Sequence, residues 1–194
     1  MRDAIFFETQ QHKDLVVLRF QSRDGTNRLH RACVIALARL VRELRRSSPS
    51  LVMTGNHKFF SAGAELGEIA ELSGSAAYEF ARLGQGLMTE IASFPAPVYA
   101  AISGYCMGGG LDLALACHRR IAAPNAVFGH RGAALGLITG WGGTQRLPRL
   151  IGKSRALAMF IAADKVNAAH ALRMGLIDAI AEDPVTEALS RIRR

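Results

Sequence analysis

Three consecutive glycines, Gly108-Gly109-Gly110, run straight into residues 111–117, where every residue except Asp112 is apolar. Glycine loses more backbone entropy on folding than any other residue, so three at the head of a helix are a costly choice. Two explanations remain open. Either a ligand approaches this backbone, with the free N–H groups and positive dipole end of the helix forming an anion site, or the helix packs tightly on a strand. A helix that is apolar almost all round belongs in a core. A chain of 194 residues is long enough to bury one.

The surrounding pattern alternates strands and helices. Residues 15–20 and 51–54 are short β-branched runs that read as strands, followed by Ser22-Arg23-Asp24-Gly25 and Gly55 as turn signals. Between them, Leu29, Cys33, Ile35, Leu37, Leu40, Val41 and Leu44 recur at helical spacing against an arginine face. Residues 75–93 predict a long helix stopped by Pro95 and Pro97, and 97–103 a buried strand turning at Gly104. Strands follow at 119–122 and 126–128, then helices at 142–150, 153–162 and 167–174. Asn167 caps the last of these and Gly175 ends it. A strand over 176–180 and a helix over 184–193 complete an α/β layer architecture in one domain, residues 1–194. No repeat, linker or low-complexity segment interrupts it.

Composition narrows the class. With 49% hydrophobic and 21% charged residues the chain reads as globular rather than disordered. No apolar run reaches the roughly 20 residues of a membrane span, and Met1-Arg2-Asp3 opens no export signal. The expected location is cytoplasmic. Cys33, Cys106 and Cys117 are odd in number and widely spaced, which reads as buried free thiols in a reducing compartment, with no disulfide framework and no metal site. The net charge is +8, from 24 Lys+Arg against 16 Asp+Glu, and such a surface attracts phosphorylated ligands of many kinds. The arginines are scattered, mostly at helix ends and polar faces, without aromatic interleaving or zinc-finger spacing. Nucleic acid is therefore not the expected partner, nor is a membrane.

A second element bears on the glycines. Lys58-Phe59-Phe60-Ser61-Ala62-Gly63-Ala64 carries tiny residues where a loop normally has polar side chains, so a ligand can lie against its backbone. Two backbone N–H groups from separate loops, at Ala64 and beside the triple glycine, are the parts of an oxyanion hole.

Phe60-Ser61-Ala62-Gly63-Ala64-Glu65, Gly104-Tyr105-Cys106-Met107-Gly108-Gly109-Gly110-Leu111-Asp112-Leu113-Ala114 and Gly142-Gly143-Thr144-Gln145-Arg146-Leu147 together resemble the enoyl-CoA hydratase/isomerase (crotonase) superfamily, from about residue 15 to residue 180. The resemblance implies a crotonase-like spiral of ββα units and acyl-CoA substrates. It further implies homotrimers or dimers of trimers, and lyase or isomerase chemistry of the kind used in fatty acid metabolism. It assigns the oxyanion-hole N–H groups to Ala64 and Gly109, and coenzyme A contacts to Ala62, Gly63, Ala64, Glu65, Leu66 and Gly109. Coenzyme A enters as part of the substrate, with no other cofactor. The family's C-terminal helical region is expected to be largely absent, with 181–194 its remnant.

Two positions depart from the family pattern. The glutamate of the first turn after the glycines is Asp112 here, and the second glutamate, a few residues after Phe128-Gly129, is Gly132. Hydration uses two carboxyl groups, so half of that machinery is missing. Asp112 is the remaining candidate acid or base, although an aspartate there can also simply cap the helix. His130 and Arg131 flank the vacated position and can replace it or lie on a solvated surface. A glutamate introduced at 132 is expected to raise hydration if the loop tolerates it. Glu65 and Glu68 read as first-turn residues serving a helix dipole. Other chemistries remain open: thioester hydrolysis, decarboxylation, or a catalytically silent CoA-binding subunit.

Overall fold

The computed structural model describes residues 6–47 and 49–193; Met1-Arg2-Asp3 lies outside them. The chain opens with β1 (Phe7–His12) and β2 (Leu15–Phe20), which pair antiparallel. β1 is polar and mostly exposed, so nothing in its sequence announces a strand. It exists as the edge partner of β2. A two-residue strand, β3 (Arg28–Leu29), precedes helix α1 (Arg31–Leu44). The sequence places the start of that helix at Leu29. In the structure Leu29 belongs to β3, and His30 caps α1 by accepting a hydrogen bond from Cys33 N at 3.3 Å.

The next three stretches share one plan. β4 (Ser50–Thr54) enters a six-stranded sheet, and β5 (Phe59–Ser61) enters a second, four-stranded one. After β6 (Gly63–Ala64) and α2 (Leu66–Ala70), helix α3 (Gly74–Ala92) returns the chain. β7 (Val98–Ile102), β8 (Tyr105–Met107) and α4 (Gly109–Ala116) repeat the sequence. β9 (Arg119–Ala122) and β10 (Val127–Gly129) follow, then a 3-10 turn at Arg131–Leu135 and α5 (Gly143–Ile151). The repeat is structural, with no matching repeat in the residues. The chain closes with α6 (Lys153–Ala162), β11 (Val166–Asn167), α7 (Ala168–Arg173), β12 (Ala179–Ile180) and α8 (Pro184–Ile192).

The larger sheet runs β1-β2-β4-β7-β9-β12, parallel after its first pair; the smaller runs β11-β10-β8-β5. Parallel strands covered on both faces read as continuous apolar runs, which is why β4 and β7 are legible in the sequence. The main core lies on one side of the large sheet, where α1, α3 and α4 bury Leu37, Leu87 and Leu111. On its other face α8 packs Ala188 over Val17, Val52, Ala101 and Ile121. The expected strand over 176–180 shrinks to β12, because Leu176 and Ile177 turn into the core and Asp178 accepts hydrogen bonds from Arg120 N and the Arg119 side chain. Arg120 is buried, its guanidinium donating to the carbonyls of Cys117 and Leu176. It is therefore a structural arginine and not part of a basic face. All three cysteines are free and buried. No helix among the described residues is long and apolar enough to cross a membrane.

Candidate active site

The three glycines of α4 serve different needs. Gly108 has φ +50° and ψ −120°, a conformation that favours glycine, and its N–H donates to Gly129 O. A Cβ on Gly110 would stand 2.7 Å from Ser61 Cβ and 2.8 Å from Ser61 O, so this glycine seats α4 against β5. A Cβ on Gly109 would lie 3.4 Å from Ala64 N and 2.6 Å from the Trp141 ring. Close packing thus accounts for Gly110, and at Gly109 it leaves room beside the Ala64 amide. Gly109 is the first residue of α4, where an N–H has no intrahelical acceptor.

The 58–64 segment is two short strands around a turn, and it meets α4 closely. At Gly63 φ is +96°, and a Cβ would come within 2.7 Å of Met107 O and 3.1 Å of Gly109 N. The turn is held from below. The fully buried Ser61 hydroxyl donates to Asn27 O at 2.7 Å and accepts from Gly63 N at 3.1 Å, while Asn27 Nδ2 donates to Phe59 O. Asn27 itself has φ +52°. Sequence reasoning missed Asn27 and Ser61 as positioning residues; an asparagine just before a strand was the only signal.

Trp141 fills the space over Gly109. Its ring also faces Gly84 in the middle of α3, where a Cβ would stand 2.2 Å from the indole. That contact accounts for a glycine in a helix interior. Phe80 meets the same ring edge-on at 5.3 Å.

These elements border a cavity of about 400 Å³. Ala62, Ala64, Glu65, Leu66, Gly109 and Asp112 all line it, whereas Gly63 lies behind the wall they form. Glu65 caps α2, accepting from Gly67 N, and pairs with Arg28 at 3.1 Å. Glu68 sits in the first turn of α2 and accepts from Arg31 N. Both therefore have the helix-end roles expected of them.

Asp112 is 1% exposed. Burial pushes its carboxyl up to about 7, against the opposing pull of the Thr139 hydroxyl, the Arg146 charge and the nearby Trp141 and Gly143 amides. The Thr139 hydroxyl donates to Asp112 Oδ2. Asp112 Oδ1 faces His130 Nε2 at 3.4 Å, and neither atom has a hydrogen bond among the described residues. His130 is buried as well, and desolvation pushes its imidazole down to about 4. Gly143 makes room for this pair: a Cβ there would stand 2.2 Å from Asp112 Oδ1 and 3.0 Å from His130 Nε2. A carboxyl that changes state near pH 7 at a cavity wall can both take up and deliver a proton.

At the vacated glutamate position, a Cβ on Gly132 would come within 2.8 Å of the Leu137 carbonyl oxygen, and Leu137 N donates to Gly132 O. Backbone fills the space a side chain would need. Introducing a glutamate at 132 therefore requires the 131–137 segment to move, so the expected gain in hydration does not follow from that change alone. Arg131 lines the cavity from an exposed position, while its neighbour His130 is buried against Phe160.

A family model described as enoyl-CoA hydratase/isomerase matches residues 10–194. Among curated proteins, the chain is 44% identical over 135 residues to a probable enoyl-CoA hydratase of Bacillus subtilis, a match over 69% of this chain and 52% of that protein. It is also 44% identical over 133 residues to a crotonyl-CoA hydratase of Syntrophomonas wolfei, covering 68% and 51%. The chain thus spans about half the length of these relatives. Pseudomonas aeruginosa DspI superposes with a TM-score of 0.93 at 34% identity, over 100% of this chain and 75% of that one. An enoyl-CoA hydratase from Bacillus anthracis gives 0.92 at 29%, over 97% and 76%. The fold is that of the crotonases, and the chain belongs to the enoyl-CoA hydratase/isomerase family.

Proposed function

We propose that this chain acts on acyl-CoA thioesters in a reaction of the enoyl-CoA hydratase/isomerase type. The Ala64 and Gly109 N–H groups take the thioester oxygen as it becomes an enolate oxyanion. Asp112 moves the proton at the α-carbon or on the attacking water. The reading rests above all on the approach of the Gly63-Ala64 backbone to Gly109 beside a carboxyl raised to about 7. It is supported by the hydratase names of the two curated relatives. Coenzyme A belongs to the substrate, its phosphates met by the chain's positive charge, and the chemistry asks for no metal or redox cofactor. The partners are an acyl-CoA and further copies of the chain, assembled through apolar surface such as Leu157 and Ile161 on α6.

The test is turnover of crotonyl-CoA and longer enoyl-CoAs, with acyl-CoA binding measured in parallel by calorimetry at low salt. Turnover that collapses in Asp112→Asn while binding persists supports the reading. No binding of any acyl-CoA overturns it, and binding without turnover leaves a silent CoA-binding subunit.

A second reading is favoured by Gly132. With backbone filling the place of the second glutamate, an oxyanion hole and one acid–base group suit thioester hydrolysis or decarboxylation of a malonyl-type thioester. Release of free thiol or of carbon dioxide from such substrates distinguishes these reactions from hydration.

A further inference from the structure

Asp112 Oδ1 and His130 Nε2 are buried polar atoms that face each other across 3.4 Å, and both are otherwise without a hydrogen bond among the described residues. Leaving a buried polar atom unpaired is costly, and two such atoms aimed at one another share one remedy, a proton between them. The surroundings favour this. Gly143 withholds the Cβ that would fill the gap. Thr139 occupies the other carboxyl oxygen, so Oδ1 is the one left for the imidazole. The Phe160 ring lies 5.2 Å from that of His130 and shields it. Both residues line the cavity.

We propose that Asp112 and His130 form one acid–base unit, in which the imidazole hands on the proton of the carboxyl and so takes the part of the second carboxylate missing at Gly132. The proposal deepens the acyl-CoA reading of the same cavity. When Asp112 is a carboxylic acid, its Oδ1–H donates to Nε2 and the ring carries its proton on Nδ1. When Asp112 is a carboxylate, Nε2–H donates to Oδ1 and Nδ1 is bare. In passing from the first state to the second, the O–H bond breaks, the Nε2–H bond forms and the Nδ1 proton departs to solvent, or to a substrate in the cavity that His130 lines. The ring begins and ends neutral and one proton leaves the unit. His130 need not become a stable cation, in keeping with burial that opposes its charge. The other titratable groups around the pair are Arg146 on α5, with Arg149 beside it, Arg131 on the 3-10 turn and the Cys106 thiol on β8. Arg146 favours the carboxylate, whereas the thiol is buried and held well up in its neutral form.

The experiment needs no thioester, so its failure is separate from failure of the acyl-CoA reading. The His130 ring nitrogens are followed by 15N NMR of the unliganded protein from about pH 5 to about pH 9, together with the Asp112 carboxyl by 13C NMR. The expected result is a ring that stays neutral and changes from Nδ1–H to Nε2–H as Asp112 ionises near pH 7, a change lost in Asp112→Asn. A ring that becomes doubly protonated near its ordinary 6.5, or one that keeps a single tautomer throughout, overturns the proposal. A second arm tests the partner. His130→Phe keeps an aromatic ring against Phe160 but removes the acceptor for the acid and the donor to the carboxylate alike; the bond to the charged form is the stronger, so the Asp112 midpoint should rise by about one pH unit. His130→Gln, whose amide N–H can donate to Oδ1, should restore most of that shift. A midpoint unmoved in His130→Phe shows that the histidine only packs, and overturns the proposal.

Discussion

The two sides of the cavity are built from different materials. The side formed by Ala62, Ala64 and Gly109 is backbone, held by the close approach of Gly63 behind it and by positive φ at Gly63 and Gly108. The side formed by Asp112, His130 and Thr139 is side chain, gathered from α4, the end of β10 and the loop after it, with the Arg146 charge of α5 acting on Asp112 from outside the lining. A backbone donor survives every substitution but proline; otherwise it is lost only by moving the chain. A side chain is lost by one codon. The family resemblance is accordingly intact on the first side, whereas the departures at Asp112 and Gly132 fall on the second.

Four substitutions sharpen or break this contrast. The largest effect is expected for Asp112→Asn. It should lower acyl-CoA turnover about 10²–10⁴-fold, the usual contribution of a positioned acid or base. It should also make the protein more stable above neutrality. Folding raises the Asp112 carboxyl from its ordinary 3.8 to about 7, so the folded state holds the extra proton in that window and stability falls as pH rises through it. His130 has the opposite sign: its folded value lies below the ordinary 6.5, so stability rises with pH between about 4 and 6.5. The two nearly offset in the native chain. Asp112→Asn leaves the histidine contribution alone, and thermal melts should show a midpoint at pH 8 above wild type, by about 2–4 °C for each kcal/mol recovered. Wild-type melts that are more stable than the variant at pH 8 would sink this account of the buried carboxyl.

Gly109→Ala attacks the backbone side. Its Cβ meets the Trp141 ring at 2.6 Å and crowds Ala64 N, so turnover should fall about 10²–10³-fold, the loss typical of one oxyanion-hole donor. Full activity in this variant would mean that the Trp141 ring yields to the new Cβ and the Gly109 N–H keeps its place. Gly110→Ala is the packing control on the neighbouring residue. Crowding Ser61 should cost about 1–3 kcal/mol of stability in denaturant titrations with a smaller effect on acyl-CoA affinity. The smallest effect is expected for Arg28→Ala. Its pairs with Asp24 and Glu65 are exposed and worth about 0–1 kcal/mol. Any weakening of acyl-CoA binding should shrink as salt rises.

The backbone side was the legible one, because glycine spacing records the geometry of a chain that must pass close to itself. The strands β4 and β7, the helix α4 and the capping of α7 by Asn167 were legible for similarly local reasons. The short strands β3, β6 and β8 were not. Each is two or three residues long and is defined by a partner distant in sequence, as when Arg28 pairs with Gly63. The contacts that Thr139 and Gly143 make with Asp112 were invisible for the same reason. A threonine in a loop and a glycine at a helix start say nothing of a carboxylate 27 residues or more upstream. Gly132 looked like a lost catalytic group, and only the Leu137 carbonyl shows that the chain has also closed over the place.

Trp141, clasped between Gly84 and Gly109, is the only tryptophan in the sequence. Its indole lies against Gly109, in the backbone proposed to receive a thioester carbonyl, so its emission is an optical gauge of that spot. Occupancy should change the intensity or wavelength of the tryptophan signal with no label attached. Gly84→Ala, which pushes on the indole from the far side, should alter the signal of the empty protein before any ligand is added.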